Sequence, residues 1–264
     1  MVTKPTVEDM WRAMLTGQDP GLRRGRHLFG LLPSNPRCKF CNIPFRGPGA
    51  LLMRLFGKRR SDMNPYFCDA CESFARDHLG GAEVEMTLFF ADVRDSSALA
   101  ERLGAVEFSL LMGRFYAAAS RVLIKTDAFV NKLVGDEVVG HYIPGFAGPE
   151  HAHKATQAAQ DLLHLTGHGA ASDPWIPVGV GIHTGNVFFG SFGGTEGTFV
   201  EMTALGDNVN IAARLASAAG PGEILVTEAT CTAAGLNPAL ERRQLDLKGR
   251  SEPVSVRVLR VVDR

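Results

Sequence analysis

The sequence predicts an α+β protein whose larger part is a ferredoxin-like βαββαβ core, with further strands and helices after it. Three observations predict it. Apolar patterns of strand and helix period alternate as strand, helix, strand, strand, helix, strand between Val84 and Thr184. Two runs rich in Val, Phe and Tyr flank Gly135-Asp136, the residue chemistry of a tight hairpin turn. Ahead of this core, four of the five cysteines fall into two CxxC pairs, within a stretch of different composition.

The 264 residues carry no net formal charge, but the balance is uneven along the chain. Residues 1–81 hold 13 Lys and Arg against 7 Asp and Glu, and the remainder holds 15 against 21. A basic head on an acidic body reads as two units, one over 1–81 that holds the paired cysteines and one over 84–264. The run Lys58-Arg59-Arg60 reads as a solvated loop in preference to a nucleic-acid or anionic-membrane contact, and no stable nucleic-acid partner is expected. No run of 18 apolar residues occurs, and Glu8 and Asp9 stand where a signal sequence is apolar. A soluble, cytoplasmic protein without a transmembrane segment is the expectation.

Taken in order, Thr6-x-x-Asp9 is a capping box, and Val7, Met10, Trp11, Met14 and Leu15 follow at helical spacing up to Asp19-Pro20. Cys38-Lys-Phe-Cys41 and Cys68-Asp-Ala-Cys71 come next. Each pair places two thiolates about a tetrahedral centre, and two pairs close a four-sulfur shell. The intervening residues 42–67 are rich in Gly, Pro and Arg and read as too poor in apolar residues for a core of their own, so an inorganic staple makes physical sense. Disulfides are disfavoured in a cytosolic compartment. Zinc and an iron–sulfur cluster both accept four cysteines, and the spacing leaves both open. Cys231, alone in the second unit, reads as a small buried hydrophobe.

Gly80-Gly81-Ala82 reads as a linker. Beyond it, Val84 to Val93 is a strand, and Ser96 to Leu103 and Val106 to Lys125 are helical, with Phe108, Leu111, Phe115 and Ala118 on one face. The hairpin over Asp127–Tyr142 follows, then a helix over Pro149–Gly167 and a strand over Val178–Thr184. A Gly- and Thr-rich loop (Gly193–Thr198), a strand to Leu205, a helix over Asn208–Ala219, a strand over Glu223–Thr227 and two closing strands finish the chain.

The chemistry collects at one sheet edge. In a ferredoxin-like sheet the first and third strands are antiparallel neighbours, so Asp92, near the end of one, lies beside Asp136, at the start of the other. Like charges held this close call for a cation, and two oxygen donors suit Mg²⁺ or Mn²⁺. The chain then enters a helix through Arg94-Asp95-Ser96-Ser97, whose free backbone N–H groups make an anion site. On the later helix, Asn210 and Arg214 are four apart and share one face. Arg supplies a fork for phosphoryl oxygens, and Asn a partner for a ribose.

Phe90-Ala-Asp92-Val, Lys132-Leu-Val-Gly-Asp136, Gly181-Ile-His-Thr-Gly185, Gly206-Asp-Asn-Val-Asn210-Ile-Ala-Ala-Arg214 and Lys248-Gly-Arg-Ser-Glu-Pro-Val254 together resemble the class III nucleotide cyclase catalytic domain, over roughly residues 84–260. The resemblance implies the class III cyclase fold and conversion of a nucleoside triphosphate to its 3′,5′-cyclic monophosphate and pyrophosphate, in a homodimer whose two sites take residues from both chains. It implies two Mg²⁺ or Mn²⁺ per site, held by Asp92, Asp136 and the Val93 carbonyl. It assigns base reading to Lys132 with Thr203, phosphate binding to Ser96, Ser97 and Lys248, and ribose and transition-state contacts to Asn210 and Arg214. Thr203 in place of Asp resembles a bacterial branch of the adenylate cyclases, Asp95 stands where many members have Gly, and Ser97 where many have Thr. His183 lies in a family motif but reads as packing within a strand. The expected substrate is ATP, because Lys132 is donor-only and suits adenine N1, while the Thr203 hydroxyl accepts from the 6-amino group. The alternatives are a cyclase of another base, CTP or GTP, or a catalytically silent metal-sensing or nucleic-acid-binding protein. A diguanylate-cyclase-like enzyme fits less well, since Val134-Gly-Asp-Glu-Val138 departs from that family's Gly-Gly-Asp-Glu-Phe signature.

Overall fold

The computed structural model describes residues 4–32, 36–62, 65–170, 172–193, 200–247 and 252–261. In chain order the elements are α1 (Val7–Leu15), α2 (Pro20–Gly30), α3 (Gly47–Leu55), α4 (Asp69–Asp77), β1 (Gly80–Val93), α5 (Ser96–Lys125), β2 (Phe129–Val134), β3 (Glu137–Tyr142), α6 (Pro144–Ala147), α7 (His151–Leu165), β4 (Val178–Gly193), β5 (Val200–Leu205), α8 (Asp207–Ala218), β6 (Glu223–Thr227), α9 (Glu228–Ala233), β7 (Arg242–Leu245) and β8 (Val254–Arg260). Contacts divide them into two compact units. One joins Met1–Val84 with Ile143–Gly148 and Val187–Leu205, and the other comprises Glu85–Tyr142, Pro149–Asn186 and Gly206–Arg264.

In the first unit, α1 starts at the predicted capping box. The Thr6 hydroxyl accepts from the Asp9 N–H at 3.1 Å, and the Asp9 carboxylate accepts from the Thr6 N–H at 2.9 Å. Trp11, Met14 and Leu15 are buried, and the Trp11 indole donates to the His78 carbonyl at 2.9 Å. Two sequence expectations are corrected here. Residues 42–67 do contribute to a core: Ile43, Phe45, Ala50, Met53 and Phe67 are buried with Trp11 and Phe40. These residues sit on two short knuckles and a nine-residue helix, so no repeating pattern announces them. Gly80-Gly81-Ala82 is the opening of β1 and not a linker. A Cβ at Gly81 would stand 2.3 Å from the Phe189 carbonyl oxygen, so glycine is what lets these backbones meet.

In the second unit the sheet order is β2-β3-β1-β4-β6-β8-β7, and its first four strands are the predicted ferredoxin-like set. β4 pairs parallel with β6 through Val180–Ile182, and β6 pairs antiparallel with β8. β4 runs on to Gly193 instead of ending at Thr184; its final residues, Phe188–Gly193, pair antiparallel with β5 in the first unit. The extension keeps strand alternation, with Val187 and Phe189 buried and Phe188 turned out. α5 breaks at Gly104 (φ 74°), between the two predicted helices. Its buried stripe is Met112, Phe115, Ala119, Val122 and Leu123, so Phe108, Leu111 and Ala118 border that stripe instead of forming it.

Candidate active site and cysteine centre

The β1–β3 ladder sets the geometry of the active-site edge. Asp92 stands opposite Glu137 in register, and the Val93 N–H donates to the Asp136 carbonyl at 3.0 Å. Gly135 (φ 60°) makes the turn that presents Asp136, and the Tyr116 hydroxyl on α5 donates to the Gly135 carbonyl. The Ser96 hydroxyl at the start of α5 donates to the Asp136 carboxylate. Asp92, Val93, Asp136 and Ser96 therefore lie together, while Ser97 is exposed in the first turn of α5. Asp95, just before that helix, has φ 54° and ψ 33°, a conformation glycine adopts freely and Asp tolerates.

Three residues escaped the sequence reading, two of them at this edge. Glu137 brings a third carboxyl; burial raises its pKa, and Asp92 and Asp136 raise it further. Burial also raises the pKa of Asp92, against the Arg94 guanidinium and with the Asp136 charge. Arg94 ion-pairs with Asp92 and donates to the Ser217 carbonyl on α8 at 2.6 Å, so one side chain ties a metal-type carboxylate to that helix. An arginine two positions after a candidate ligand was the only available signal. Asn208 is the third. Its amide donates to the Asn186 carbonyl at 2.7 Å, and its oxygen meets His183 Nε2 at 2.8 Å. Because that oxygen only accepts, His183 donates from Nε2, and its Nδ1 accepts from the Thr227 hydroxyl at 3.0 Å. His183 is thus a packing residue, as its strand position suggested.

α8 lies close on β4 because Gly179 and Gly181 present no side chains to it. A Cβ at Gly181 would stand 2.2 Å from the Ala216 nitrogen and 2.6 Å from the Ala212 oxygen. Ile211, Ala212, Leu215 and Ala216 face inward, leaving Asn210 exposed and Arg214 half-buried on the other side. Lys132 is exposed on β2, just after a bulge between Val130 and Lys132. Thr203 belongs to the first unit, half-buried on β5 opposite Gly190. Lys248 lies outside the described residues.

The four cysteines converge. The Sγ atoms of Cys38, Cys41, Cys68 and Cys71 all lie within 4.8 Å of one another, and none is in a disulfide. Cys38 and Cys41 sit on a knuckle closed by Cys38 N–H to Ile43 O at 2.9 Å, and Cys68 and Cys71 enter α4 from its N-terminus. Hydrogen bonds from Cys38, Cys41 and Cys71 hold the Cys68 thiol far below its ordinary pKa, while contacts with Cys38 and Cys68 push Cys41 up and contacts with Cys38, Cys41 and Cys68 push Cys71 up. Four sulfur donors gathered this closely fit a soft metal cation. Asp92, Asp136 and the Val93 carbonyl offer only hard oxygens, which fits a divalent ion of the Mg²⁺ type.

Sheet order, carboxylate edge and α8 together define a domain of the nucleotide cyclase type. Residues 82–258 match the family model described as the adenylate and guanylate cyclase catalytic domain, and the chain belongs to that family. It is similar to an adenylate cyclase of Anabaena cylindrica, 26% identical over 181 residues, covering 65% of this chain and 36% of that protein. A terminal-differentiation-specific adenylate cyclase of Dictyostelium discoideum is 30% identical over 183 residues, covering 65% of this chain and 8% of that one. The crystal structure of the adenylyl cyclase CyaB from P. aeruginosa has 27% identity and a TM-score of 0.57, over 69% of this chain and 95% of that chain. The chain thus corresponds to about a third or less of the length of these two curated relatives. Among the described residues no helix is long and apolar enough to cross a membrane.

Proposed function

We propose that this chain is an adenylate cyclase, converting ATP to 3′,5′-cyclic AMP and pyrophosphate as a homodimer with two shared sites. The observation that carries the reading is the pairing of Asp92 and Asp136 across the β1–β3 edge, beside the N-terminus of α5. Two divalent ions held by Asp92, Asp136 and the Val93 carbonyl would supply the acidified ribose 3′-hydroxyl and neutralise the triphosphate. The first turn of α5, with Ser97, offers N–H groups to phosphoryl oxygens. Lys248 carries the remaining triphosphate contact assigned by motif.

Asn210 orients the ribose so that its 3′-oxygen stands in line with the α-phosphorus. Arg214 meets the charge that develops on the phosphoryl oxygens as the bond to pyrophosphate lengthens. Lys132 donates to adenine N1, and the Thr203 hydroxyl accepts from the 6-amino group. Guanine reverses both requirements, and cytosine fills less of a purine-sized pocket. The exposed Val106 and Leu110 on α5 support an association between chains. The four-cysteine module, before every cyclase motif in sequence, is the regulatory part of this reading.

The test is product identification. Purified protein is given Mn²⁺ and each of the four ribonucleoside triphosphates, and kcat/KM is compared. Cyclic AMP as the main product supports the reading. A larger kcat/KM for CTP or GTP overturns the base assignment, and no cyclic product from any triphosphate overturns the cyclase.

A further inference from the structure

We propose that the four cysteines hold one tetrahedral ion of the zinc class and not an iron–sulfur cluster, and that this ion locks the N-terminal module. Size separates the two. A Zn–S bond of about 2.3 Å puts the sulfurs of a tetrahedron about 3.8 Å apart. Here Cys41 Sγ and Cys68 Sγ are 3.6 Å apart, and every pair lies within 4.8 Å. A cubane cluster sets each cysteine on a different iron, at roughly 6 Å from the next.

The cage cannot widen freely to that size. Phe40, between the first two cysteines, stacks on Phe67, immediately before the third, with ring centroids 4.7 Å apart and both rings buried. Cys68 N–H also donates to Cys38 Sγ at 3.4 Å. Asn42 (φ 66°) closes the first knuckle by donating to the Cys38 carbonyl at 2.9 Å, and Ser61 N–H to Phe67 O at 2.9 Å closes the approach to the second. Opening the sulfurs by a further 2 Å or so would break this stack and the N–H to sulfur bond. A cavity of about 510 Å³, whose walls include Cys41, Cys68, Cys71, Met14 and Phe74, gives an ion a way in. The ion would join residues 38–41 to 68–71 across the segment that carries α3.

The experiment needs no cyclase activity. The full chain is purified without added metal, its metal and acid-labile sulfide are measured, and the stripped protein is titrated with Co²⁺. One zinc-class ion per chain, no sulfide, and the visible bands of tetrahedral tetrathiolate cobalt are expected. Cys41→Ser and Cys71→Ser should lose that spectrum, and Cys231→Ser should keep it. Iron with stoichiometric sulfide, an octahedral cobalt spectrum, or no retained ion overturns the proposal. Hydrogen exchange on stripped wild-type protein is the second readout, with residues 42–62 expected to exchange at least tenfold faster. Unchanged exchange there overturns the locking role.

A different observation carries a second inference. α3 buries Gly49, Ala50 and Met53, yet Leu51, Leu52, Leu55 and the following Phe56 are exposed, Leu55 by 84%. Arg54, Lys58, Arg59 and Arg60 adjoin them and line a cavity of about 430 Å³ together with Asp62, and Arg59 also pairs with Asp69 at 2.8 Å. From this pairing of exposed apolar side chains with clustered cations we infer that the α3 face docks on an anionic lipid surface, inserting its leucines beneath headgroups that meet the basic run. Sedimentation with phosphatidylcholine vesicles, with and without phosphatidylserine, tests it. Binding at least tenfold stronger to the anionic vesicles, weakened by salt and lost in Leu55→Asp/Phe56→Ser and in Arg54→Gln/Lys58→Gln, is expected. Equal binding to both vesicles, binding to neither, or self-association abolished by the same variants overturns it.

Discussion

Arg214 and Asp92 carry the most chemistry per residue in the proposed cyclase. If Arg214 meets only transition-state charge, Arg214→Ala should lower kcat by about 10²–10³ while leaving KM for ATP nearly unchanged. Steady-state kinetics check it, and an equally large rise in KM with kcat preserved would reassign Arg214 to ground-state binding. The motif residues were legible because their types and spacing are chemically unusual. Arg94 and Glu137 were not, since an arginine or glutamate beside a strand end looks like any solvated charge. Only the fold brings Arg94 onto both Asp92 and the Ser217 carbonyl.

At the scale of elements, α8 is seated by absence of side chains. Gly181→Ala would drive a Cβ into the Ala216 nitrogen and Ala212 oxygen, both backbone atoms that cannot swing aside. Overpacking of this kind costs about 1–3 kcal/mol. Because α8 carries Asn210 and Arg214, kcat should fall more than tenfold even where the protein stays folded. Thermal unfolding and kinetics on one preparation check both, and unchanged kcat would show that α8 is not held by this contact. The closing strands depend on charge. Glu223 on β6 pairs with Arg243 on β7 and Arg260 on β8, at 3.0 and 2.9 Å, and Arg243 above all holds its pKa down to about 2. A depressed carboxyl contributes stability above its ordinary pKa of 4.5, and that contribution is lost as pH falls toward 2. Glu223→Gln should therefore cost about 1–3 kcal/mol at pH 7 and almost nothing near pH 2. Denaturant melts at the two pH values measure this, and an equal loss at both would refute the charge account.

For the whole molecule, the proposed dimer predicts complementation. Mixing an Asp92→Ala chain with an Arg214→Ala chain should restore activity that neither has alone, with one intact site per mixed dimer. A mixture as inactive as its parents would exclude shared sites. The grouping of segments adds a second expectation. Thr203 belongs to the same compact unit as the four cysteines, through Val187–Leu205, although more than 130 residues separate them. Cys41→Ser should then lower the ratio of kcat/KM for ATP over GTP, if the proposed base-reading hydroxyl belongs to the unit that the proposed ion locks. An unchanged ratio would separate base reading from the cysteine centre.

Local chemistry in the sequence determined the capping box of α1, the Gly135-Asp136 hairpin, the break at Gly104, the strand and helix alternation and the pairing of CxxC motifs. Each depends on a few neighbouring residues whose conformational or ligand preferences are strong. The order β2-β3-β1-β4 followed from that alternation together with a familiar topology. Tertiary structure decided the rest. The length of β4 depends on a partner strand, the core around Phe40 and Phe67 on contacts without periodicity, and the roles of Arg94, Glu137 and Asn208 on what faces them. The cysteine spacing allowed both one ion and a cluster, since CxxC pairs suit either. The proposed single ion rests on the Phe40–Phe67 stack and the sulfur separations, because the size of a cage is a property of packed side chains and not of their order along the chain.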